Sequence, residues 1–442
     1  MPHYITQPAG RAGGDFRIPG DKSISHRALM LGSIAEGTTE VRGFLESEDC
    51  LATMKAMRTM GVRIEQFAPG ALRVYGVGLR GLRQPGRALD LGNSGTAMRL
   101  MTGLLSGQTF DSELIGDASL MKRPMERVAA PLRLMGARID TDQGRPPVRI
   151  GGAAALQGIR YTLPVASAQV KSAILLAGLY AQGATMLIEP GITRDHTERM
   201  LQSFGCPVQA AHGEVHMTPV ERLVARSLEV PGDFSSAAFF MVAGSIAAGN
   251  GLTLRGVGVN PTRTGLLDIL ALMGADLRLI NHRSAGAEPV ADIEVRPSRL
   301  QGIHVPEHLV PLAIDEFPAL FIAAACAQGE TRVTGAEELR VKESDRIAVM
   351  AEGLTALGVS CEVLPDGIRI QGRPAEAPAG EAVFAGGTID SHGDHRIAMA
   401  FAVASLRANA AIRIDDVANV ATSFPDFPAI ATAAGLHLRA VP

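Results

Sequence analysis

Apolar positions along the chain recur in two phrases. The first is a helix-like run, then a glycine, then a strand-like run. Its copies are AMRTMGVRI ending at Ile64, PLRLMGARI at Ile139, MLQSFGCPV at Val208, ILALMGADL at Leu277, GLTALGVSC at Cys361 and AIATAAGLHL at Leu438. The glycines, Gly61, Gly136, Gly205, Gly274, Gly358 and Gly435, stand 69 to 84 residues apart. Met125, Val128, Leu132 and Met135, like Ile347, Met350, Leu354 and Leu357, follow the 3,4,3 spacing of a single helical face. The glycine then predicts a left-handed C-cap where each helix stops.

The second phrase precedes the first in every copy. It is a helix apolar nearly all round, followed by a small-residue turn and a strand: 28–35, 97–105, 172–181, 237–248, 318–327 and 397–406. A helix without a polar face must be surrounded by protein. Each unit therefore offers one buried helix, one amphipathic helix and several strands, an α/β repeat that cannot bury its apolar surface alone. Two P-G-D stretches, Pro19-Gly20-Asp21 and Pro231-Gly232-Asp233, precede helix starts and bracket three of the six units. The expected domains are 21–231, and a discontinuous one of 1–20 plus 232–442, each with three β/α repeats.

Polar residues concentrate at the starts of the buried helices: Gly20-Asp21-Lys22-Ser23, Asn93-Ser94-Gly95-Thr96, Ser167-Ala168-Gln169, Asp233 to Ser236, Asp315 to Pro318 and Asp394-His395-Arg396. Ser, Asn and Asp there are ordinary N-caps. Lys22, Gln169 and Arg396 are not explained that way. A cation beside a helix N-terminus opposes the macrodipole by about 0.3 to 1 kcal/mol unless an anion lies between it and the exposed N–H groups. Further cations stand at the starts of amphipathic helices: Lys122 and Arg123, Arg194, and Lys342 with Arg346 around Glu343. Pro124 is expected at the first helical position, aiming Arg123. The set points to a ligand carrying several negative groups.

Composition narrows the reading. With 42 Lys and Arg against 45 Asp and Glu, a net charge of −3, nothing global draws the protein to nucleic acid or an anionic membrane, so any anion site is local. Cys50, Cys206, Cys326 and Cys361 lie far apart without a C-x-x-C pair, which argues against a thiolate zinc site and a disulfide framework and makes a reducing cytoplasm the expected location. The N-terminus lacks the basic start and apolar core of a signal peptide, and the most apolar stretch, Ala237 to Ala248, is too short to cross a bilayer. Gly76-Val77-Gly78-Leu79-Arg80-Gly81 fits a dinucleotide fingerprint in letters only, because Pro85 and Gly86 follow where a helix must begin. His392 and His395 have a ligand spacing, but no third ligand is apparent and Arg396 would repel a cation.

Six stretches, PGDKSISHRAL (19–29), LGNSGTAMRL (91–100), GDASLMKRPM (116–125), ASAQVKSAILLAG (166–178), RVKESDRI (340–347) and HGDHRIAMAF (392–401), occur together and in order. In these the chain closely resembles the 5-enolpyruvylshikimate-3-phosphate synthase family of enolpyruvyl transferases. The resemblance implies a two-domain inverse α/β barrel of six repeats, with an active site in the interdomain cleft. It also implies transfer of the enolpyruvyl group of phosphoenolpyruvate to the 5-hydroxyl of shikimate-3-phosphate in the shikimate pathway to chorismate. No cofactor or metal is implied, and the expected partners are small anionic substrates only, bound by a monomer.

Residue by residue, the resemblance implies that Lys22, Ser23, Arg27, Ser167, Ala168, Gln169, Arg194, Asp315 and Lys342 hold shikimate-3-phosphate. Lys22, Gly95, Arg123, Gln169, Arg346 and Arg396 are implied to hold phosphoenolpyruvate, with Asp315, Glu343 and Lys22 catalytic. Leu100, Glu338 and Thr422 depart from the commoner bacterial pattern, where proline, asparagine and lysine are frequent. Gly95 keeps the loop small, which implies sensitivity to glyphosate, an analogue of phosphoenolpyruvate. A related transferase acting on a UDP-amino sugar is disfavoured because none of the four cysteines lies in a glycine- and arginine-rich loop. A noncatalytic phosphate binder is disfavoured because it gains little from Asp315 and Glu343 near an anion.

Overall fold

The computed structural model describes residues 2–373 and 381–442. Twelve α-helices follow one another as six pairs: α1 (Lys22–Ile34) and α2 (Glu48–Thr59), α3 (Gly95–Ser106) and α4 (Glu126–Leu134), α5 (Ala168–Gly178) and α6 (His196–Ser203), α7 (Phe234–Ile246) and α8 (Gly265–Leu272), α9 (Phe317–Cys326) and α10 (Arg346–Ala356), α11 (His395–Ala404) and α12 (Phe427–Ala433). The first helix of each pair is the buried one. All 13 residues of α7 and all ten of α9 and α11 are buried. The second is amphipathic and ends as the sequence predicts. Gly61, Gly136, Gly205, Gly274, Gly358 and Gly435 all have φ between 86° and 103°, the left-handed conformation that stops a helix at little cost only for glycine. The predicted faces point inward, with Met125, Val128, Leu132 and Met135 at most 1 % exposed and Ile347, Met350, Leu354 and Leu357 fully buried.

Among the described residues, six small sheets, five of four strands and one of three, accompany the six helix pairs. Within a repeat, a strand, the buried helix and the next strand form a parallel crossover, as Leu89–Asp90, α3 and Ser112–Ile115 do. An antiparallel hairpin completes the sheet, here Arg138–Asp142 with Arg145–Gly151.

The chain separates into two compact units. One comprises Met1–Pro19, Pro231–Arg283 and Pro289–Pro442, and the other comprises Gly20–Val230 with Ser284–Glu288. Each has its own continuous apolar core. The strand before α1, Arg11–Arg17, pairs in parallel with Ala248–Gly258, the strand that follows α7. The strand before α7, Leu228–Glu229, pairs in parallel with Glu36–Arg42, the strand that follows α1. Each unit thus completes its first repeat with a strand that the chain supplies just before crossing to the other unit. The strand His3–Gln7 lies between Ile412–Asp415 and His437–Val441 in the last sheet.

Small residues let helices touch. A Cβ on Gly103 of α3 would lie 2.0 Å from the Ala173 carbonyl oxygen of α5, so only glycine permits that approach. No helix among the described residues is long and apolar enough to cross a membrane.

Candidate active site

In the unit built on Gly20–Val230, three buried helices begin with polar groups. Asp21, Ser94 and Ser167 cap α1, α3 and α5 by accepting from Ile24, Ala97 and Val170 N–H. Lys22 is the first residue of α1, and its Nζ lies 3.1 Å from Asp49 Oδ2. Because α3 and α5 meet at Gly103, their starts meet too: Gln169 accepts from Arg99 Nη1 at 2.6 Å and donates to Thr96 Oγ1 at 3.0 Å. Arg123 donates to Asn93 Oδ1 at 2.8 Å, and Asn93 donates to Asp117 Oδ2 at 2.7 Å. A Cβ on Gly95 would lie 2.8 Å from Arg123 Nη1 and 2.9 Å from Arg99 Nη1, so the missing side chain leaves room for two guanidiniums at the α3 N-terminus.

Arg27 crosses from α1 to α5 and α6. It donates to Thr197 Oγ1 at 2.7 Å, Ser172 Oγ at 2.8 Å and the Ser23 carbonyl at 2.9 Å, and it is 3 % exposed. Burial pushes its guanidinium down to about 10; Glu198, Asp21 and Glu288 oppose that change, and the positive charge of Arg194 adds to it. Arg27 thus feels the positive charge of Arg194, which suits the two to a shared anion. His26 bonds Thr53 Oγ1 at 2.8 Å and Ser94 Oγ at 3.3 Å. Burial first, then Lys22 and Arg27, hold it well below the usual imidazole range, so it is neutral at pH 7.

In the other unit, Arg346 is the first residue of α10 and its side chain is 1 % exposed. Its Nε lies 2.8 Å from Asp394 Oδ2, its Nη2 2.6 Å from Glu343 Oε2 and its Nη1 3.4 Å from Asp315 Oδ1. Burial opposes the charge, but Asp394, Glu343 and Asp315 outweigh it and raise the arginine above its ordinary value. Lys342 Nζ lies 3.6 Å from Asp315 Oδ1 and 3.8 Å from Glu338 Oε1. Arg396, second in α11, donates to the Asp315 carbonyl oxygen at 3.0 Å. Asp315 thus meets three cationic side chains, two through its carboxylate and one through its carbonyl.

The sequence-selected residues divide between the two units. Lys22, Ser23, Arg27, Gly95, Arg123, Ser167, Ala168, Gln169 and Arg194 belong to one unit; Asp315, Lys342, Glu343, Arg346 and Arg396 belong to the other. One expectation is corrected. Pro124 is not the first helical residue, because α4 starts at Glu126 with Met125 as its N-cap. Arg123 is instead oriented by Asn93.

Sequence reasoning missed several partners. Asp394, noted only as a helix start, caps α11 and also clasps Arg346. Asp49, Asn93 and Arg99 hold Lys22, Arg123 and Gln169. Arg99 was visible inside the LGNSGTAMRL stretch, one helical turn beyond Gly95. Asp49 lies 27 residues from Lys22, and no local pattern signals that pairing. Of the departures, Glu338 partners Lys342, Leu100 is fully buried in α3, and Thr422 donates to the Asn419 carbonyl oxygen. Among the described residues no group of three or more His, Cys, Asp or Glu could hold a metal ion.

A family model described as EPSP synthase (3-phosphoshikimate 1-carboxyvinyltransferase) matches residues 6–430. The chain belongs to this family. It is 60 % identical over 437 residues to a 3-phosphoshikimate 1-carboxyvinyltransferase of Methylococcus capsulatus, covering 99 % of this chain and 98 % of the relative. It is 59 % identical over 439 residues to the protein of the same name from Acidithiobacillus ferrooxidans, covering 99 % of both. Among solved structures, the EPSP synthase of Acinetobacter baumannii matches with a TM-score of 0.89 at 55 % identity over the whole of both chains. The enolpyruvyl transferase NikO of Streptomyces tendae, 16 % identical, matches in fold with a TM-score of 0.78 over 100 % of this chain and 99 % of NikO. The six-repeat, two-unit architecture is therefore that of the EPSP synthase family.

Proposed function

We propose that the chain is an enzyme that transfers the enolpyruvyl group of phosphoenolpyruvate to the 5-hydroxyl of shikimate-3-phosphate. Membership of the EPSP synthase family along nearly the whole chain carries this reading. In the reaction, C3 of phosphoenolpyruvate gains a proton while the 5-hydroxyl oxygen bonds to C2 and gives up its own proton. The tetrahedral adduct then loses a proton from C3 and its C2–O bond to phosphate, leaving the enolpyruvyl ether and inorganic phosphate.

The roles we assign follow from residue chemistry. Arg27, Arg194, Ser23, Ser167, Ala168 and Gln169, with Lys22, Lys342 and Asp315, hold shikimate-3-phosphate. That Arg27 feels the positive charge of Arg194 supports a phosphate shared by the two. Arg123, Arg346, Arg396, Lys22, Gln169 and Gly95 receive phosphoenolpyruvate, whose carboxylate and phosphate both suit guanidinium forks. Asp315 and Glu343 move the protons, assisted by Lys22. Both carboxyls lie within 3.4 Å of Arg346, which couples them to one fixed charge. Lys and Arg side chains supply the charge stabilisation that this chemistry requires, with no cofactor. The protein works on small anionic substrates as a monomer, and its free cysteines fit the reducing cytoplasm.

The deciding experiment is phosphate release from phosphoenolpyruvate with shikimate-3-phosphate present and absent. Release that depends on shikimate-3-phosphate is expected. Release without it, or none with both substrates, would refute the assignment.

A further inference from the structure

Lys171, the fourth residue of α5, is 1 % exposed, yet no role in the reaction falls to it from the motifs above. Its Nζ lies 3.0 Å from Glu189 Oε2 and 2.7 Å from Glu198 Oε1, and it donates to the Thr193 carbonyl oxygen at 3.3 Å. Two hydrogen bonds and an ion pair thus engage this buried ammonium with its own protein. Burial opposes its charge, but Glu198 and Glu189 outweigh that and hold it above the ordinary lysine value, so it stays protonated.

The three partners span one loop. Glu189 follows the strand Thr185–Ile188, Thr193 lies midway, and Glu198 lies in the first turn of α6. Thr193 Oγ1 also donates to Glu189. Arg194 directly follows the carbonyl that Lys171 holds. The residue after Lys171, Ser172, accepts from Arg27 at 2.8 Å and from Thr197 Oγ1 at 2.7 Å, and donates to the Ala168 carbonyl at 2.7 Å. Two adjacent residues on one turn of α5 therefore fix Arg27 and the loop bearing Arg194 against the same helix start, Ser167-Ala168-Gln169.

Stability does not account for this arrangement. Burying an ammonium with two carboxylates is costly, and burial already pushes the Glu198 carboxyl up; apolar residues of similar volume would serve a core as well or better. We infer that Lys171 is a positioning residue that holds the 189–195 loop so that Arg194 meets the phosphate of shikimate-3-phosphate. This rests on the reading of Arg194 given above.

The test measures kcat and both KM values for Lys171→Met, Glu189→Gln, Arg194→Ala and the double variant Lys171→Met/Arg194→Ala. Loss of one well-aligned arginine–phosphate contact corresponds to roughly tenfold or more in affinity. Lys171→Met is therefore expected to raise the KM for shikimate-3-phosphate by about tenfold, to leave that for phosphoenolpyruvate within about twofold, and to add nothing in the Arg194→Ala background. Glu189→Gln keeps the pair between Lys171 and Glu198 and is expected to shift the same KM in the same direction by a few fold. It decides the matter if Lys171→Met does not fold. An unchanged KM for shikimate-3-phosphate in the folded variants overturns the proposal. So does a Lys171→Met effect that persists undiminished without Arg194. An unchanged KM in Arg194→Ala overturns the reading of Arg194 itself, and the proposal with it.

Discussion

Arg346 is the most heavily paired cation of the candidate site, and its removal gives the most demanding test of the electrostatics. Its side chain is 1 % exposed, against 0 % for Asp394, 19 % for Glu343 and 18 % for Asp315. In Arg346→Gln, Glu343 and Asp315 retain contact with water. Asp394 does not, so the cost concentrates there. Removing one partner of a buried ion pair costs about 3 to 5 kcal/mol, which at 2 to 4 °C per kcal/mol for a unit of this size lowers the melting temperature by roughly 6 to 20 °C. Arg346→Gln/Asp394→Asn removes the orphaned charge while Asn still caps α11, and should recover part of the loss. Circular dichroism melts of the three proteins at pH 8 provide the measurement. A loss below about 1 kcal/mol at pH 8, or a double variant as unstable as the single one, would show that charge does not hold this cluster together.

Gly95→Ala puts a methyl about half an ångström inside ordinary contact with Arg123 and Arg99, so steady-state kinetics should show a higher KM for phosphoenolpyruvate and weaker inhibition by glyphosate, with an unchanged melting temperature. Asp315→Ala and Glu343→Ala should slow turnover far more than they weaken shikimate-3-phosphate binding, and calorimetric titration beside turnover at saturation separates the two effects. His26 has its folded pKa depressed, so stability is unaffected above the unfolded value of about 6.5 and falls below it by up to about 1.4 kcal/mol per pH unit; urea melts at pH 7, 6 and 5 should show a smaller slope in His26→Gln. Gly205→Ala meets nothing within 4 Å at φ 90°, so its loss of about 1 kcal/mol in a urea melt would be backbone strain alone.

The helices were legible because their signals are local. A 3,4,3 apolar face followed by glycine specifies both the buried side of a helix and its end, and the structure has the left-handed glycine at all six places. What was not legible depends on pairings between residues far apart in the chain. Nothing near Arg11–Arg17 indicates that it pairs with Ala248–Gly258, nor does the sequence around His3–Gln7 reveal its neighbours Ile412–Asp415 and His437–Val441. The site divides in the same way. Cations at helix starts stood out because they conflict with the macrodipole, whereas Asp394 and Asn93 agree with capping rules and so passed as ordinary N-terminal residues. Lys171 was hidden differently: its helix reads as apolar, and the two glutamates that keep it charged come from the next segment of chain.

Repetition explains why the charged clusters sit where they do. Arg346, at the start of α10, reaches Asp315 beside its own repeat's buried helix and Asp394 at the start of the next. Arg263, just before α8, does the same one repeat earlier: its Nη2 lies 3.3 Å from Asp233, the cap of α7, and 3.8 Å from Glu316, the cap of α9. The start of α9 is thereby held from both sides, Glu316 by Arg263 and Asp315 by Arg346. In each case a guanidinium ties together carboxylates at neighbouring helix starts, positions where backbone N–H groups already favour negative charge. The third repeat breaks the series, because the stretch before α12, Ser423-Phe424-Pro425-Asp426, carries no cation. The middle repeat adds a second carboxyl, Glu343, beside its arginine and a lysine, Lys342, beside Asp315. Charge pairing that serves architecture in one repeat is elaborated in the next into a larger group of ionisable side chains, and the residues we propose for catalysis in this unit lie there.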